Sequence, residues 1–285
     1  MIVVADSGGY KTDWAFISKE NVIFKRTVGL NPNFLDESDE KLSEVKEVIK
    51  EIDKKIINKI FFYGAGCNNV KNIKKIENFL NKVFNSNDIE ICVYSDLLGV
   101  AHSLLKDKKG WIGILGTGSN IAFYDGKELI KFTPSLGFVL GDEGSATYIC
   151  KRFLKKLCYN EISKRIKIKF FKKYEIKIPE IISNSLAKNN NYYIASFLPF
   201  IYENRKSKEI KKIIEESFNE FIIHHLLPYY QKKDGAINFG GTVAKLFRNE
   251  LANCLNNYDI KIGKITARPI KHLAVYYKNL FFKIK

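Results

Sequence analysis

Residues 111–146 read WIGILGTGSNIAFYDGKELIKFTPSLGFVLGDEGSA. Trp111 to Leu115 is an apolar run of strand character that breaks at Gly116-Thr117-Gly118-Ser119. A second strand is expected from Asn120 to Tyr124 and a third from Lys127 to Phe132, joined at Asp125-Gly126. That dipeptide signals a two-residue hairpin, because both central positions of a type I′ turn want positive φ. Gly137 and Gly141-Asp142-Glu143-Gly144 then lead into a helical pattern with acidic residues in its first turn, where the helix dipole favours them.

The N-terminus repeats this plan. Ile2 to Asp6 is a predicted strand, Ser7-Gly8-Gly9 a turn, Thr12 to Ser18 a second strand, and Val22 to Val28 a third, followed by Gly29. Gly8 and Gly29 are 21 positions apart, as are Gly116 and Gly137. Matching spacing in two strand–turn–strand–turn–strand units predicts a duplicated fold. Two such glycine turns facing one cleft would offer two sets of backbone N–H groups to a polyphosphate. Two ordinary hairpins whose glycines serve only geometry would look the same from spacing alone.

Between the repeats, strands alternate with helices. A helix is expected from near Ser38, with Leu42, Val45, Ile49, Ile52 and Ile56 on its buried face. Lys59 to Tyr63 is a short strand ending at Gly64-Ala65-Gly66-Cys67, Asn72 to Phe84 a helix, Ile89 to Tyr94 a strand, and Leu97 to Leu105 a helix. This alternation predicts an α/β sheet with helices on its faces. Asp96 then lies just past the C-terminal end of a strand, where ligand sites gather in open α/β sheets. An Asp there also suits a helix N-cap. Residues 142 to about 230 read as helix, punctuated by Pro179, Pro199 and Pro228. Asp234 to Asn238 leads a strand into Phe239-Gly240-Gly241-Thr242. A helix from Val243 to about Leu255, a strand from Asp259 to Ile262, and a final helix from His272 follow. The expected domains are residues 1–108 and 109–271, with the helix over 272–285 packing back on the first.

The formal net charge is +16, from 41 Lys and 6 Arg against 31 acidic residues. A Lys-dominated excess lacks the planar forks that read bases, so it reads as a solvated surface rather than a nucleic-acid face. The densest basic stretch, 151–180, carries 11 Lys/Arg against 3 Asp/Glu, enough to attract an anionic nucleotide through its field. The five cysteines, at 67, 92, 150, 158 and 254, form no C-x-x-C. This predicts a reducing compartment without disulfides or a zinc ribbon. No membrane-spanning run is visible, and Asp6 interrupts the first apolar run, so no signal peptide is read and a cytoplasmic location is expected. The adjacent His224 and His225 point apart on a helix and predict no metal site.

Read together, the glycine clusters predict a nucleotide site. Ser7-Gly8-Gly9 and Gly116-Thr117-Gly118 would cradle phosphates, with Thr12 and Thr117 adding hydroxyl donors. Gly240-Gly241-Thr242 would let an adenosine lie close to the backbone. Asp6, beside the phosphates, suits Mg²⁺ held through water.

The set Asp6-Ser7-Gly8-Gly9-Tyr10-Lys11-Thr12-Asp13, Gly116-Thr117-Gly118-Ser119-Asn120, Gly137, Gly141-Asp142-Glu143-Gly144-Ser145 and Gly240-Gly241 resembles the N-acetylglucosamine kinases. These belong to the BadF/BadG-type ATPases of the actin/hexokinase/Hsp70 superfamily. The resemblance spans nearly the whole chain, least through 151–230. It implies two ribonuclease-H-like domains with ATP in the cleft and Mg²⁺ as cofactor. Gly8, Gly9, Tyr10, Lys11, Thr12, Thr117, Gly118, Gly240, Gly241 and Thr242 would be nucleotide-binding. Asp96 would be the general base for the 6-hydroxyl of an amino sugar, and a homodimer is implied. Asn31, Ser119, Asn120, Ser135, Leu136, Gly137 and Asp142 fall where the family contacts the sugar. Tyr10 departs from the family's Thr in the first phosphate loop, which raises a second reading: a weakened kinase that senses sugar or nucleotide. A reductase-activating ATPase, the other branch of the group, would need cluster cysteines at glycine-rich helix starts. Cys150 and Cys158 lack that context.

Overall fold

The computed structural model describes residues 1–35, 39–85, 89–187 and 190–282. It holds two five-stranded sheets. The first is built from β1 (Ile2–Ser7), β2 (Lys11–Ile17), β3 (Val22–Val28), β4 (Lys59–Gly64) and β5 (Glu90–Ser95), in the order β3-β2-β1-β4-β5. The second contains β6 (Gly110–Leu115), β7 (Ser119–Tyr124), β8 (Leu129–Phe132), β9 (Ile237–Gly240) and β10 (Ile262–Thr266). Its order, β8-β7-β6-β9-β10, matches the first strand for strand, so the duplicated α/β plan is realised in both halves. The chain divides into two compact units. One contains residues 1–109, 124–129 and 268–285; the other contains 110–123 and 130–267.

In the first unit β1, β4 and β5 run parallel, with Ser7 beside Gly64 and Gly64 beside Ser95. Three strand ends therefore finish in one row. Side-chain alternation sends Val3, Ala5, Trp14, Phe16, Ile60 and Phe62 to one core, shared with α1 (Asp39–Val48) and α2 (Val70–Phe84). Ile2, Val4, Ala15, Ile17, Phe61 and Tyr63 face the other way. There they meet Ile270, Leu273, Ala274 and Tyr277 of the last helix, which runs from Pro269 to Phe282. Helix α3 (Asp96–Leu104) follows β5 on the same side and packs on that last helix. Hydrogen bonds between the Tyr63 and Tyr277 hydroxyls (2.5 Å) and between Tyr63 Oη and His102 Nδ1 (2.7 Å) join β4, α3 and the last helix. Burial holds His102 down to about 4, so its ring is neutral near pH 7.

In the second unit Trp111, Leu115, Ile121, Ile237 and Phe239 form a core with the helices inserted between β8 and β9, the first of which, a single turn, adds no buried residue. These are α4 (Gly137–Leu140), α5 (Ala146–Cys158), α6 (Lys164–Tyr174), α7 (Ile178–Leu186), α8 (Asn191–Ala195), α9 (Leu198–Glu203) and α10 (Lys208–Phe221). A single π turn, Ile222–Leu226, extends α10. After β9 come α11 (Thr242–Leu246) and α12 (Arg248–Asn256), which makes the final helix α13.

Several local expectations are corrected. Of Asp125 and Gly126 only the glycine has positive φ, so the hairpin is not type I′. Asp125 instead accepts from the N–H groups of Lys127 and Glu128, which delays β8 to Leu129. Helix α1 ends at Val48, because Asp53 caps a separate 3₁₀ turn, and Ile56 is exposed. The expected helix start at Ser38 lies outside the described residues. The expected helix from Val243 breaks at Phe247 into α11 and α12. The last strand begins at Ile262 rather than Asp259, whose positive φ closes a turn after α12.

Candidate active site

The first unit gathers Asp6, residues 8–11, Asn31 and Asp96 at the C-terminal ends of its parallel strands. Gly8 N–H donates to Lys11 O (3.0 Å), which closes the first loop tightly. Gly29 N–H donates to Tyr10 O (3.0 Å), folding the loop back onto the end of β3. A Cβ at Gly29 would fall 2.5 Å from the carbonyl carbon of Gly9 and 2.7 Å from Tyr10 N. That glycine is therefore dictated by the loop's backbone. The Tyr10 side chain is 74% exposed.

Thr12 is not a phosphate donor. It lies on the Trp14–Phe16 face of β2, fully buried. Its hydroxyl donates to Val28 O (2.9 Å) and lies 2.8 Å from Ser7 Oγ. Leu30 N–H donates to Ser7 Oγ (3.0 Å), so Ser7 and Thr12 form a clasp joining β1, β2 and the chain after β3. Period-two alternation with Trp14 and Phe16 carried this signal.

Asp6 and Asp13 stand opposite each other across β1 and β2. Arg26 Nε donates to Asp13 (2.7 Å), and Lys11 Nζ lies 3.3 Å from it, so Asp13 is a neutralised carboxylate. Asp6 has no such cation in contact among the described residues. Burial, then Asp96, then Asp13 push its carboxyl up to about 7. Asp96 opens α3, but Ser95 is the cap: its hydroxyl accepts from Leu98 N–H (3.3 Å). Asp96 Oδ1 accepts from Leu97 N–H (2.9 Å), and burial nevertheless raises the carboxyl to about 6. A pair of half-buried carboxylates that resist joint ionisation is a donor set that a divalent cation would relieve. Cys67, raised to about 12 by burial and then Asp96, is inert as a nucleophile. Asn31 Oδ1 accepts from Asn33 N–H (2.9 Å) and rests against Gly66, whose φ of +81° and missing side chain make room for it.

The second unit gathers Thr117, Gly118, Ser119, Asn120 and Asp142. Gly116 N–H donates to Gly118 O (2.9 Å). The loop is seated on the start of α5: Ala146 N–H donates to Gly116 O, and both Thr147 N–H and Thr147 Oγ1 donate to Thr117 O. Ser145 caps α5 by accepting from Tyr148 N–H. Asp142, at φ +63°, accepts from Ser119 N–H (3.3 Å). A Cβ at Gly118 would sit 3.0 Å from its Oδ2, so the carboxylate would have to give by a few tenths of an ångström. Burial raises the Asp142 carboxyl above its ordinary range, against the Ser119 hydrogen bond. Ser119 is buried, and its hydroxyl has no hydrogen-bond partner among the described residues. Asn120 Oδ1 is turned to Ile121 N–H.

Ser135, Leu136 and Gly137 lie on a largely exposed segment leading into α4. Gly241 is set by packing: at φ +110° it lies against the Leu115 carbonyl, where a Cβ would sit 2.6 Å from the carbonyl carbon. Its N–H donates to Thr266 O (2.9 Å). Gly240 is in register with Ile114 and Thr266, and exposed Thr242 opens α11. Sequence reasoning missed His225. It is buried, with Nδ1 2.7 Å from Thr133 Oγ1 and Nε2 2.7 Å from Glu143 Oε2.

No family model and no curated protein matches the chain. Solved structures do. A protein of Porphyromonas gingivalis described as an N-acetylglucosamine kinase superposes with a TM-score of 0.90 at 30% identity, over 98% of this chain and 99% of that one. A protein of Chromobacterium violaceum with the same description gives 0.71 at 13% identity, over 96% and 98% of the two chains. A Streptomyces griseus glucokinase of the ROK family, solved with glucose and AMPPNP, gives 0.61 at 13%, over 98% of each chain. The last two likenesses are of fold alone.

Proposed function

The chain belongs to the N-acetylglucosamine kinase family, of actin-like ATPase fold, and on that premise we propose that it phosphorylates N-acetylglucosamine at the 6-hydroxyl, using Mg-ATP. The observation that carries this reading is Asp96. It directly follows a parallel strand as the first residue of α3, Ser95 relieves it of the capping role, and burial raises its carboxyl to about 6. A carboxylate near that value is still ionised at neutral pH and is a stronger base than an exposed Asp.

In the proposed reaction Asp96 accepts the proton of the 6-hydroxyl as that oxygen attacks the γ-phosphorus. Such a base contributes roughly 10²–10⁴-fold. Asp6 would hold Mg²⁺ through water, and its closeness to Asp96 fits that role. The bound metal would supply charge neutralisation at the phosphates. N–H groups of residues 9–11, on the loop that the Gly8 N–H closes, and of Thr117 and Gly118 are the donors proposed for the phosphates, with Gly240, Gly241 and Thr242 for the nucleoside. Asn31, Ser119, Asn120, Ser135, Leu136, Gly137 and Asp142 are proposed for the sugar. The buried, unpartnered Ser119 hydroxyl and the raised Asp142 carboxyl support the sugar assignment, since both gain from a hydroxyl partner. Exposure of the Tyr10 ring supports a loop that works through its backbone.

Asp96→Asn tests the reading. Turnover of N-acetylglucosamine should fall at least roughly 10²-fold. The acid limb of kcat/KM in the parent, breaking near pH 6, should disappear. Wild-type turnover in the variant would show that Asp96 is not the base.

A further inference from the structure

Thr133 and Glu143 bracket the segment that carries Ser135, Leu136, Gly137 and Asp142. Both are held by one imidazole from a distant helix. His225 lies 92 positions from Thr133 and 82 from Glu143, and each ring nitrogen is 2.7 Å from its partner oxygen. Carboxylate oxygens only accept, so Nε2 carries hydrogen toward Glu143. In the neutral ring Nδ1 then accepts from the Thr133 hydroxyl, and both ring nitrogens are satisfied. The side chain is 9% exposed, and the Phe221 ring lies beside it, centroids 5.5 Å apart.

Backbone geometry serves this contact. His225 sits inside the π turn, where Leu227 N–H donates to Ile222 O (2.9 Å). The inserted residue redirects the last turn of α10, and such turns concentrate at functional sites. The tethered segment has little packing of its own: Leu136, Val139 and Leu140 are 52%, 69% and 75% exposed. A third tie, Lys151 Nζ to Phe138 O (2.9 Å), holds its middle. Its position thus depends on polar contacts at both ends and at the centre.

We propose that His225 is a positioning residue for the sugar, clamping both ends of residues 133–143 so that Ser135–Gly137 and Asp142 keep a fixed geometry. This rests on the reading of those residues as sugar contacts. The test compares His225→Phe, which keeps a flat ring without hydrogen bonds, with Thr133→Val, which removes one end of the clamp. KM is measured for N-acetylglucosamine and for ATP, and hydrogen–deuterium exchange is followed across the chain. In His225→Phe the sugar KM should rise about tenfold, and the ATP KM should stay within about twofold. Exchange should accelerate in 133–143 while α5 stays protected. Thr133→Val should move the same readouts less, and the double variant should be no worse than His225→Phe, since both break one unit.

Unchanged sugar KM with unchanged exchange would overturn the proposal. So would a parallel rise of both KM values with faster exchange throughout the second unit, the mark of a merely structural residue. If the parent phosphorylates no amino sugar, the functional reading fails by itself. Exchange then decides the clamp: acceleration confined to 133–143 supports it and no change overturns it.

Discussion

Gly29→Ala should displace the first glycine loop without touching any ligand-facing group. The new Cβ would sit 2.5 Å from the Gly9 carbonyl carbon and 2.7 Å from Tyr10 N, and nearer still to the Gly9 oxygen. Ordinary contact begins at 3.4 Å, so the loop must withdraw by about 1 Å. All three atoms are backbone, so no side chain can swing away. The Gly29 N–H to Tyr10 O bond would stretch with the loop. Overpacking costs about 1–3 kcal/mol and a weakened hydrogen bond about 1 more, giving a loss of about 2–4 kcal/mol. A shift near 1 Å in a positioning loop can lower turnover by up to about 10²-fold. On the proposed function, kcat/KM for ATP should fall about 10- to 100-fold while the sugar KM changes little. Gly137 is the matched glycine of the second repeat, yet a Cβ there meets nothing within 4 Å. Gly137→Ala should cost only the left-handed strain of φ +68°, about 1–2 kcal/mol, with its kinetic effect on sugar rather than ATP. Steady-state titration of ATP at saturating sugar, with urea unfolding of each variant, makes the comparison. Wild-type ATP kinetics and stability in Gly29→Ala would refute the claim that this backbone contact sets the loop.

Two further outcomes follow from the first unit. Asp6, raised to about 7, keeps its proton when folded over a pH range in which the unfolded chain has released it. Stability of the parent therefore falls as pH rises from about 4 to 7 and is flat above that. Asp6→Asn lacks this penalty. Its advantage in metal-free urea unfolding should grow between pH 5 and pH 8 to about 2 kcal/mol, after discount for solvent contact. An advantage that does not grow with pH would contradict the assigned environment. Thr12→Val should destabilise by about 1–3 kcal/mol, because Ser7 Oγ and Val28 O lose their shared partner, while ATP KM stays within about twofold. A large ATP defect in a stable Thr12→Val protein would return Thr12 to the phosphate site.

The duplicated meander was legible because its signals are local. Glycine turns interrupt apolar strand runs at matched spacing, and the two sheets follow the same strand order. Asp96 was placeable because a strand and a helix meet there, although its neighbour Ser95 makes the cap. Thr12 was misread despite a visible cue, its shared face with Trp14 and Phe16. The glycines at 29 and 241 were readable as turns, but what crowds them is backbone brought close only by the tertiary fold. His225 was out of reach, because its partners lie 82 and 92 positions away and a π turn directs it. Helical periodicity has no term for one extra residue in a turn.

Sugar phosphorylation is tested by a coupled ADP-release assay with Mg-ATP. The panel is N-acetylglucosamine, N-acetylmannosamine, N-acetylmuramic acid, glucosamine and glucose. Turnover should be saturable and highest on N-acetylglucosamine, with ADP release dependent on the sugar. ADP release that is the same with and without every sugar, or that is absent throughout, would contradict it.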